Sequence, residues 1–142
     1  MAIMLKEIMT RDVEVARPGD SLKDVAQRMK SLDVGMLPIC DGDKLVGTIT
    51  DRDISVRGVA EGKDPKITHV SDIMTSSPVL CCFEDDELKV AARKMHDNQI
   101  RRLPVLDREK HLVGIVSLGD IALHGDERTA GDTLEGVSEP NA

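Results

Sequence analysis

The chain has 142 residues, of which 40% are hydrophobic and 11 are glycine, a composition typical of a folded globular protein. Its formal net charge of −7 argues against a general nucleic-acid binder, because neutralising phosphates requires a basic surface. The single aromatic residue, Phe83, gives no basis for stacking single-stranded nucleic acid. No apolar run approaches the ~20 residues of a membrane span, and the first residues do not form a secretory signal. We therefore expect a cytoplasmic protein with neither a membrane nor a nucleic-acid partner.

The sequence contains an internal tandem repeat. Residues 8–54 begin with Ile-Met-Thr and end with Leu-Val-Gly-Thr-Ile-Thr-Asp-Arg-Asp-Ile, and residues 73–121 begin with Ile-Met-Thr and end with Leu-Val-Gly-Ile-Val-Ser-Leu-Gly-Asp-Ile. One copy is too small to bury a good core alone, so we expect the two copies to pack with pseudo-twofold symmetry. The predicted organisation is repeat 1 at 5–60, a linker at 61–69, repeat 2 at 70–124 and a frayed acidic tail at 125–142.

The pattern of each copy predicts the element order β-α-β-β-α, and therefore an α+β fold. The first copy predicts an extended run at 13–16, a helix after Ser21, strands at 36–40 and 45–50, and a second helix opening at Thr50. The second copy predicts the same elements at 79–83, from 88, at 103–106, at 112–117 and from Ser117. The helical stripes Leu22–Met29 and Leu88–Met95 exceed what a thin sandwich can cover, so we expect a homodimer.

The motif most suggestive of function is Thr50-x-x-Asp53, repeated as Ser117-x-x-Asp120 at the same place in the second copy. One interpretation is helix capping alone, since Ser and Thr are preferred N-caps and an acid favours the first turn. The other adds a ligand, because a carboxylate there can accept hydrogen bonds from both hydroxyls of a ribose. A Leu-Pro pair at the start of a strand, Leu37-Pro38 and Leu103-Pro104, accompanies the motif in both copies.

The three cysteines, Cys40, Cys81 and Cys82, are too few and poorly spaced for a disulfide framework. Buried structural thiols are one interpretation, and a redox or metal site is the other. The sequence holds no nucleotide-binding glycine loop, no Cys-x-x-Cys and no His-Glu-x-x-His, so we expect no enzyme, no catalytic residue and no metal ligands.

Taken in order, these motifs resemble a tandem pair of cystathionine-β-synthase (CBS) domains, often called a Bateman module. The resemblance covers residues 5–124. Within the family, the sequence is similar to small stand-alone bacterial proteins, including those of stress and hypoxic responses. The resemblance implies a regulatory module rather than an enzyme. Its ligand would contain adenosine, as in AMP, ADP, ATP, NAD or S-adenosylmethionine, and would bind in two clefts between the copies. An unknown effector protein would respond to the bound ligand. The alternatives are a redox- or metal-responsive stress protein using Cys40, Cys81 and Cys82, and a purely structural dimerisation module.

The resemblance also implies which residues line the two clefts. The first cleft would contain Thr50, Arg52, Asp53, Pro78, Val79, Arg101 and Arg102, and the second would contain Ser117, Asp120, Thr10, Val13, Gly35, Met36 and Leu37. By the same resemblance the clefts differ: Arg101 and Arg102 face Asp53, with Arg52 in the first turn of its helix, whereas Gly35, Met36 and Gly119 stand at the matching positions near Asp120. We therefore expect phosphate groups to favour the Asp53 side. The alternative is that these arginines only pair with acidic neighbours such as Asp51 or the tail.

Overall fold

The computed structural model describes residues 2–76, 79–125 and 127–140, and the chain divides into two compact units. Unit 1 joins the segment ending at Val13 to the chain from Leu80 onward, and unit 2 is Glu14–Val79. Each unit contains strands and helices around its own apolar core, so the predicted α+β repeat fold is confirmed. Within the described ranges no helix is long and apolar enough to cross a membrane.

Unit 2 is built around an antiparallel strand pair. Its elements in chain order are α1 (Leu22–Leu32), β1 (Met36–Asp41), β2 (Lys44–Thr50), α2 (Asp51–Asp53), a π-helical segment (Ile54–Val59) and a 3-10 turn (Val70–Asp72). The Ser21 hydroxyl caps α1 by accepting from the Asp24 amide at 3.1 Å, as the sequence predicts. The predicted first strand is reduced to one parallel bridge between Ala16 and Ile39.

Unit 1 is built around a three-stranded sheet. Its elements are a 3-10 turn (Leu5–Glu7), β3 (Cys82–Phe83), α3 (Leu88–Asn98), β4 (Arg102–Leu106), β5 (Leu112–Ser117), α4 (Leu118–His124) and α5 (Glu127–Ser138). Strand β3 is parallel to β4, and β4 is antiparallel to β5. The β1–β2 and β4–β5 pairs each carry a register irregularity, at Ile39/Cys40 and Val105/Leu106. These positions correspond in the two repeats, so the strand pairing repeats as well as the sequence.

The Ile-Met-Thr segment of each repeat packs on the other repeat's sheet. Thr10 exchanges two backbone hydrogen bonds with Ile115, at 2.8 and 2.9 Å, and Thr75 does the same with Thr48, at 2.9 Å each. Met9 lies in the core of unit 1, and Ile73 lies in the core of unit 2. The compact units therefore differ from the repeats read along the sequence, whose boundaries stay a prediction.

The helical stripes of α1 and α3 are covered inside their own units. Leu22, Val25 and Met29 are buried in unit 2, and the stripe of α3 is buried in unit 1. The expectation that these stripes are left over for a dimer partner is therefore not supported, because each stripe already faces a sheet or a helix of its own unit.

The segment after His124 is more ordered than the sequence suggests. Residues 127–138 form α5, which packs against α3 and buries Thr133 and Val137. The Gln99 side-chain amide donates to the Glu139 carbonyl at 2.5 Å. The expectation of a frayed tail is thus wrong for these residues. The sequence did not predict this helix because only two of its described side chains, Thr133 and Val137, are buried and one of them is polar, so the hydrophobic pattern is very weak.

Candidate functional site

The first motif forms a reciprocal capping box where β2 becomes α2. The Asp53 amide donates to Thr50 Oγ1 at 3.1 Å, and the Thr50 amide donates to Asp53 Oδ2 at 3.0 Å. Thr50 has extended backbone angles, φ −114° and ψ 162°, which end the strand and let the helix begin. Both side chains are half-buried.

The second motif repeats this geometry where β5 becomes α4. The Asp120 amide donates to Ser117 Oγ at 3.1 Å, and the Ser117 amide donates to Asp120 Oδ2 at 2.8 Å. The backbone of Ser117, φ −116° and ψ 163°, matches that of Thr50 within a few degrees. Capping is therefore real in both copies, and the two sites are local duplicates.

Capping occupies only one oxygen of each carboxylate. Oδ2 accepts the backbone amide, while Oδ1 of Asp53 and of Asp120 has no hydrogen-bond partner within the described chain. A half-buried carboxylate held by its capping oxygen offers a fixed second acceptor to a ligand hydroxyl. Capping and ligand binding are thus compatible at the same side chain.

Several of the other predicted site residues lie beside the motif of their own unit. In unit 2, Met36 pairs with Thr50 across β1 and β2, and the Gly35 carbonyl accepts from the Asp51 amide at 3.0 Å. In unit 1, Arg102 pairs with Ser117, and the Arg101 carbonyl accepts from the Leu118 amide at 2.8 Å.

The remaining predicted residues differ in exposure. Arg52, Arg101, Arg102 and Thr10 are exposed, and Val13 and Val79 are half-buried. Leu37 and Met36 are only 2% and 5% exposed, so the structure buries both predicted residues rather than offering them to a ligand. Pro78 lies outside the described residues.

Asp51 is a neighbour of the first motif that the sequence reasoning did not assign to the site. Its Oδ1 accepts from the Arg52 amide at 2.8 Å, and a Cβ at Gly35 would lie 3.1 Å from its Oδ2. The second copy has Leu118 at this position, which was the available signal. The first site therefore carries a second carboxylate that the other lacks.

Two of the three thiols, Cys40 and Cys82, are poorly suited to redox or metal chemistry. Burial raises the pKa of Cys82 to about 12, with Lys94 opposing the shift, and burial also raises the pKa of Cys40. A neutral thiol is neither a good nucleophile nor a good metal ligand. Cys40 lies in unit 2 whereas Cys81 and Cys82 lie in unit 1, and all three are free.

Two cavities in unit 1 lie away from both motifs. One, of about 370 Å³, is bordered by Ile3, Leu88 and His124, and the other, of about 480 Å³, separates charged residues of α3 and α5. Neither contains a predicted site residue.

The capping box at the sheet-to-helix junction is duplicated on tandem α+β repeats, and this combination defines a class of repeat protein. The CBS domain family matches residues 5–57 and 70–126, and the chain belongs to that family. CBS domain-containing protein YhcV of Bacillus subtilis is 37% identical over 138 residues, covering 96% of each chain. Hypoxic response protein 1 of Mycobacterium tuberculosis is 34% identical, covering 96% of this chain and 95% of its own. These two relatives consist of little more than the region they share with this chain, and they are small stand-alone CBS proteins without a catalytic domain.

Solved structures agree with this assignment. The crystal structure of hypoxic response protein 1 with two coordinated zinc ions has a TM-score of 0.79 at 34% identity, covering 87% of this chain and 100% of that one. The CBS domain pair of protein MJ0100, in complex with 5-methylthioadenosine and S-adenosyl-L-methionine, has a TM-score of 0.78 at 31% identity, covering 87% and 95%. CBSX2 in complex with AMP has a TM-score of 0.71 at 29% identity, covering 84% and 93%.

Proposed function

We propose that the protein is a regulatory module that senses adenosine-containing ligands at its two Thr/Ser-x-x-Asp motifs. The observation that carries the proposal is the duplicated capping box, in which one carboxylate oxygen is fixed and the other is free. Its support from known proteins is that MJ0100 and CBSX2, which share the fold, hold adenosine ligands. The ligand is one of AMP, ADP, ATP, NAD and S-adenosylmethionine, and a separate effector protein would respond to it.

In this proposal Asp53 and Asp120 accept the ribose hydroxyls through Oδ1. Thr50 and Ser117 hold each carboxylate in place and shape the rim of the site. Without Trp or Tyr, the adenine lies against aliphatic side chains and backbone, which suits the half-buried Val13 and Val79. Binding would order the sheet-to-helix junctions and thereby alter the surface that a partner protein meets.

The arginines make the two sites unequal. They can be assigned either to the site of Asp53 or to the site of Asp120. The family resemblance assigns Arg101 and Arg102 to the Asp53 cleft, together with Arg52. Pairing within unit 1 favours the other site, since directly opposite residues such as Arg102 and Ser117 share one face of a strand pair. We propose the first attribution. It is separable by experiment from the function itself.

Calorimetric titration of AMP into the full-length protein tests both the proposed ligand binding and the inequality of the two sites. Asp53→Ala and Asp120→Ala remove equivalent capping bonds, so each is the other's structural control. We expect Asp53→Ala to weaken AMP binding more, since a charge-assisted hydrogen bond to phosphate adds about 1.5–3 kcal/mol, or roughly tenfold or more in affinity. Equal losses would contradict the asymmetry, and a larger loss at Asp120 would assign the arginines to that site. An absence of binding by AMP, ATP and S-adenosylmethionine would contradict the function.

Arg102→Ala separates phosphate recognition from nucleoside recognition. Its side chain is exposed, so the fold should tolerate the change. We expect AMP affinity to fall about tenfold, the effect of losing one charge-assisted bond, while adenosine affinity stays unchanged. Calorimetry with both ligands measures the difference, and an equal loss for adenosine would show that Arg102 does not contact phosphate.

We further propose that the protein forms a homodimer through surfaces other than the α1 and α3 stripes. In unit 2 the Val59 side chain is 67% exposed, and in unit 1 the Leu123 side chain is 80% exposed, each on the helical segment that follows its motif. Related CBS proteins assemble, as in a hexameric CBS-CP12 protein. Light scattering of the purified chain tests this, and a mass of 15.5 kDa at tens of micromolar would contradict it.

A further inference from the structure

The turn between β4 and β5 brings together three side chains of the kinds that bind metal ions. The Nδ1 atom of His111 lies 3.2 Å from Asp107 Oδ2 and 3.6 Å from Glu109 Oε2. One potential ligand atom from each of the three residues lies within 4.8 Å of the others. This cluster comprises an imidazole nitrogen and two carboxylates, and it plays no part in the nucleotide proposal.

The spacing of these atoms matches the edges of a metal coordination shell. Zinc bonds to nitrogen and oxygen measure about 2.0–2.2 Å, and tetrahedral geometry then places neighbouring ligand atoms about 3.4 Å apart. The two distances from His111 lie on either side of that value. The third edge, between Asp107 and Glu109, lies within 4.8 Å, and the 82% exposed side chain of Glu109 is free to rotate toward an ion.

The turn holds Asp107 in place before any ion binds. Asp107 Oδ1 accepts from the Glu109 and His111 amides at 2.9 and 2.8 Å, so Oδ2 is the oxygen left facing His111. These two backbone hydrogen bonds fix the orientation of the carboxylate.

Of the two cations in this turn, Arg108 and Lys110, the first is directed away from the cluster. Arg108 bonds to Asp85 at 2.6 Å and lies 4.5 Å over the Phe83 ring. It therefore neutralises a different carboxylate and leaves the charges of Asp107 and Glu109 available to an ion.

We propose that Asp107, Glu109 and His111 bind one divalent transition-metal ion of the zinc class, with water completing its coordination. An imidazole donor favours zinc-class ions over magnesium and calcium, which prefer oxygen ligands. The equivalent turn of the first repeat, Asp41-Gly42-Asp43-Lys44, has carboxylates but no imidazole, so the site belongs to the second repeat alone. The ion binds at Nδ1, so the ring carries its proton on Nε2.

Nitrogen-15 spectra of the histidine rings during a zinc sulfate titration test this directly on the full chain. We expect the His111 Nδ1 resonance to shift and to saturate at one equivalent, with the ring held in the tautomer protonated at Nε2. Magnesium chloride in large excess should not reproduce the shift. An unmoved His111 ring at several equivalents of zinc would overturn the proposal, even if zinc bound elsewhere, for example at a thiol.

Matched variants give a second measurement. His111→Gln and Glu109→Gln should each weaken zinc binding about tenfold or more, a typical loss when a metal site is disturbed. The exposed histidine His124, changed to Gln, serves as the control and should leave the affinity unchanged. Glu109 is so exposed that its variant keeps the fold, and melting curves without metal verify this for both. Unchanged affinity in His111→Gln and in Glu109→Gln would contradict the site.

Discussion

The structure explains why the repeated Leu-Val-Gly motif ends in glycine, at Gly47 and Gly114. A Cβ at Gly114 would lie 2.6 Å from Met9 Sδ and 2.8 Å from the Thr10 carbonyl, and one at Gly47 would lie 2.7 Å from Met74 Sδ and 3.0 Å from the Thr75 carbonyl. The methionine can rotate, but the backbone carbonyl cannot move without breaking its strand bridge. Each glycine therefore permits the close approach of an Ile-Met-Thr segment.

This close approach predicts that Gly114→Ala is destabilising. The added methyl must displace the Thr10 backbone, and overpacking of this kind costs about 1–3 kcal/mol. Chemical denaturation measures the loss. Gly19→Ala is the control, because no atom lies within 4 Å of a Cβ there, and its stability should stay close to that of the wild type. Equal stability of the two variants would contradict the packing.

The raised thiol pKa values predict selective labelling. In the native protein we expect Cys81, which is half-buried, to react with a thiol reagent, while Cys40 and Cys82 react only after unfolding. Unfolding frees Cys82 to ionise at its ordinary pKa of about 8.5, so its contribution to stability is complete below that pH. That contribution is lost as the pH rises toward about 12, the pKa of Cys82 in the folded protein. Mass spectrometry of labelled peptides checks the order, and equal native reactivity of all three thiols would favour a redox role.

At the scale of elements, we expect the two glycines of α5 to respond differently to replacement by alanine. A Cβ at Gly136 would overlap the His96 ring, whereas nothing lies within 4 Å of one at Gly131. Gly131→Ala should stabilise the protein by about 1 kcal/mol through helix propensity, and Gly136→Ala should not, because the ring or the helix must move. Thermal unfolding measures both.

Removing the ring completes the test of α5. In a His96→Ala background the obstruction is gone, so Gly136→Ala should become stabilising like Gly131→Ala. If Gly136→Ala stabilises the protein with His96 in place, α5 does not dock as the structure has it.

Elements with strong local signals were predictable from the sequence. The α1 stripe, its Ser21 cap, and the Thr50 and Ser117 capping boxes all follow from side chains a few residues apart. The docking of α5 and the crossing of the Ile-Met-Thr segments depend on contacts between distant residues, and only the repeated glycine hinted at the second. The expected strand at 13–16 shrank to a bridge because only Ala16 bonds to a neighbouring strand.

For the candidate site, the sequence indicated the carboxylates but not what surrounds them. The structure adds that each aspartate uses one oxygen for capping, that Leu37 faces a core, and that the Asp51 carboxylate lies against Gly35. These facts depend on side-chain direction and strand register, which the repeat pattern does not carry.

At the scale of the whole molecule, the proposed function is that of a CBS pair whose two capping boxes bind adenosine ligands. Thermal unfolding of the full chain with AMP, ADP, ATP, NAD and S-adenosylmethionine, beside guanosine monophosphate, tests this most directly. At one hundred times its dissociation constant, a ligand stabilises the folded state by about 2.7 kcal/mol. We predict such a shift for at least one adenosine ligand, none for the guanosine control, and its loss in the Asp53→Ala, Asp120→Ala double variant. No shift with any adenosine ligand, or an undiminished shift in the double variant, would contradict the account.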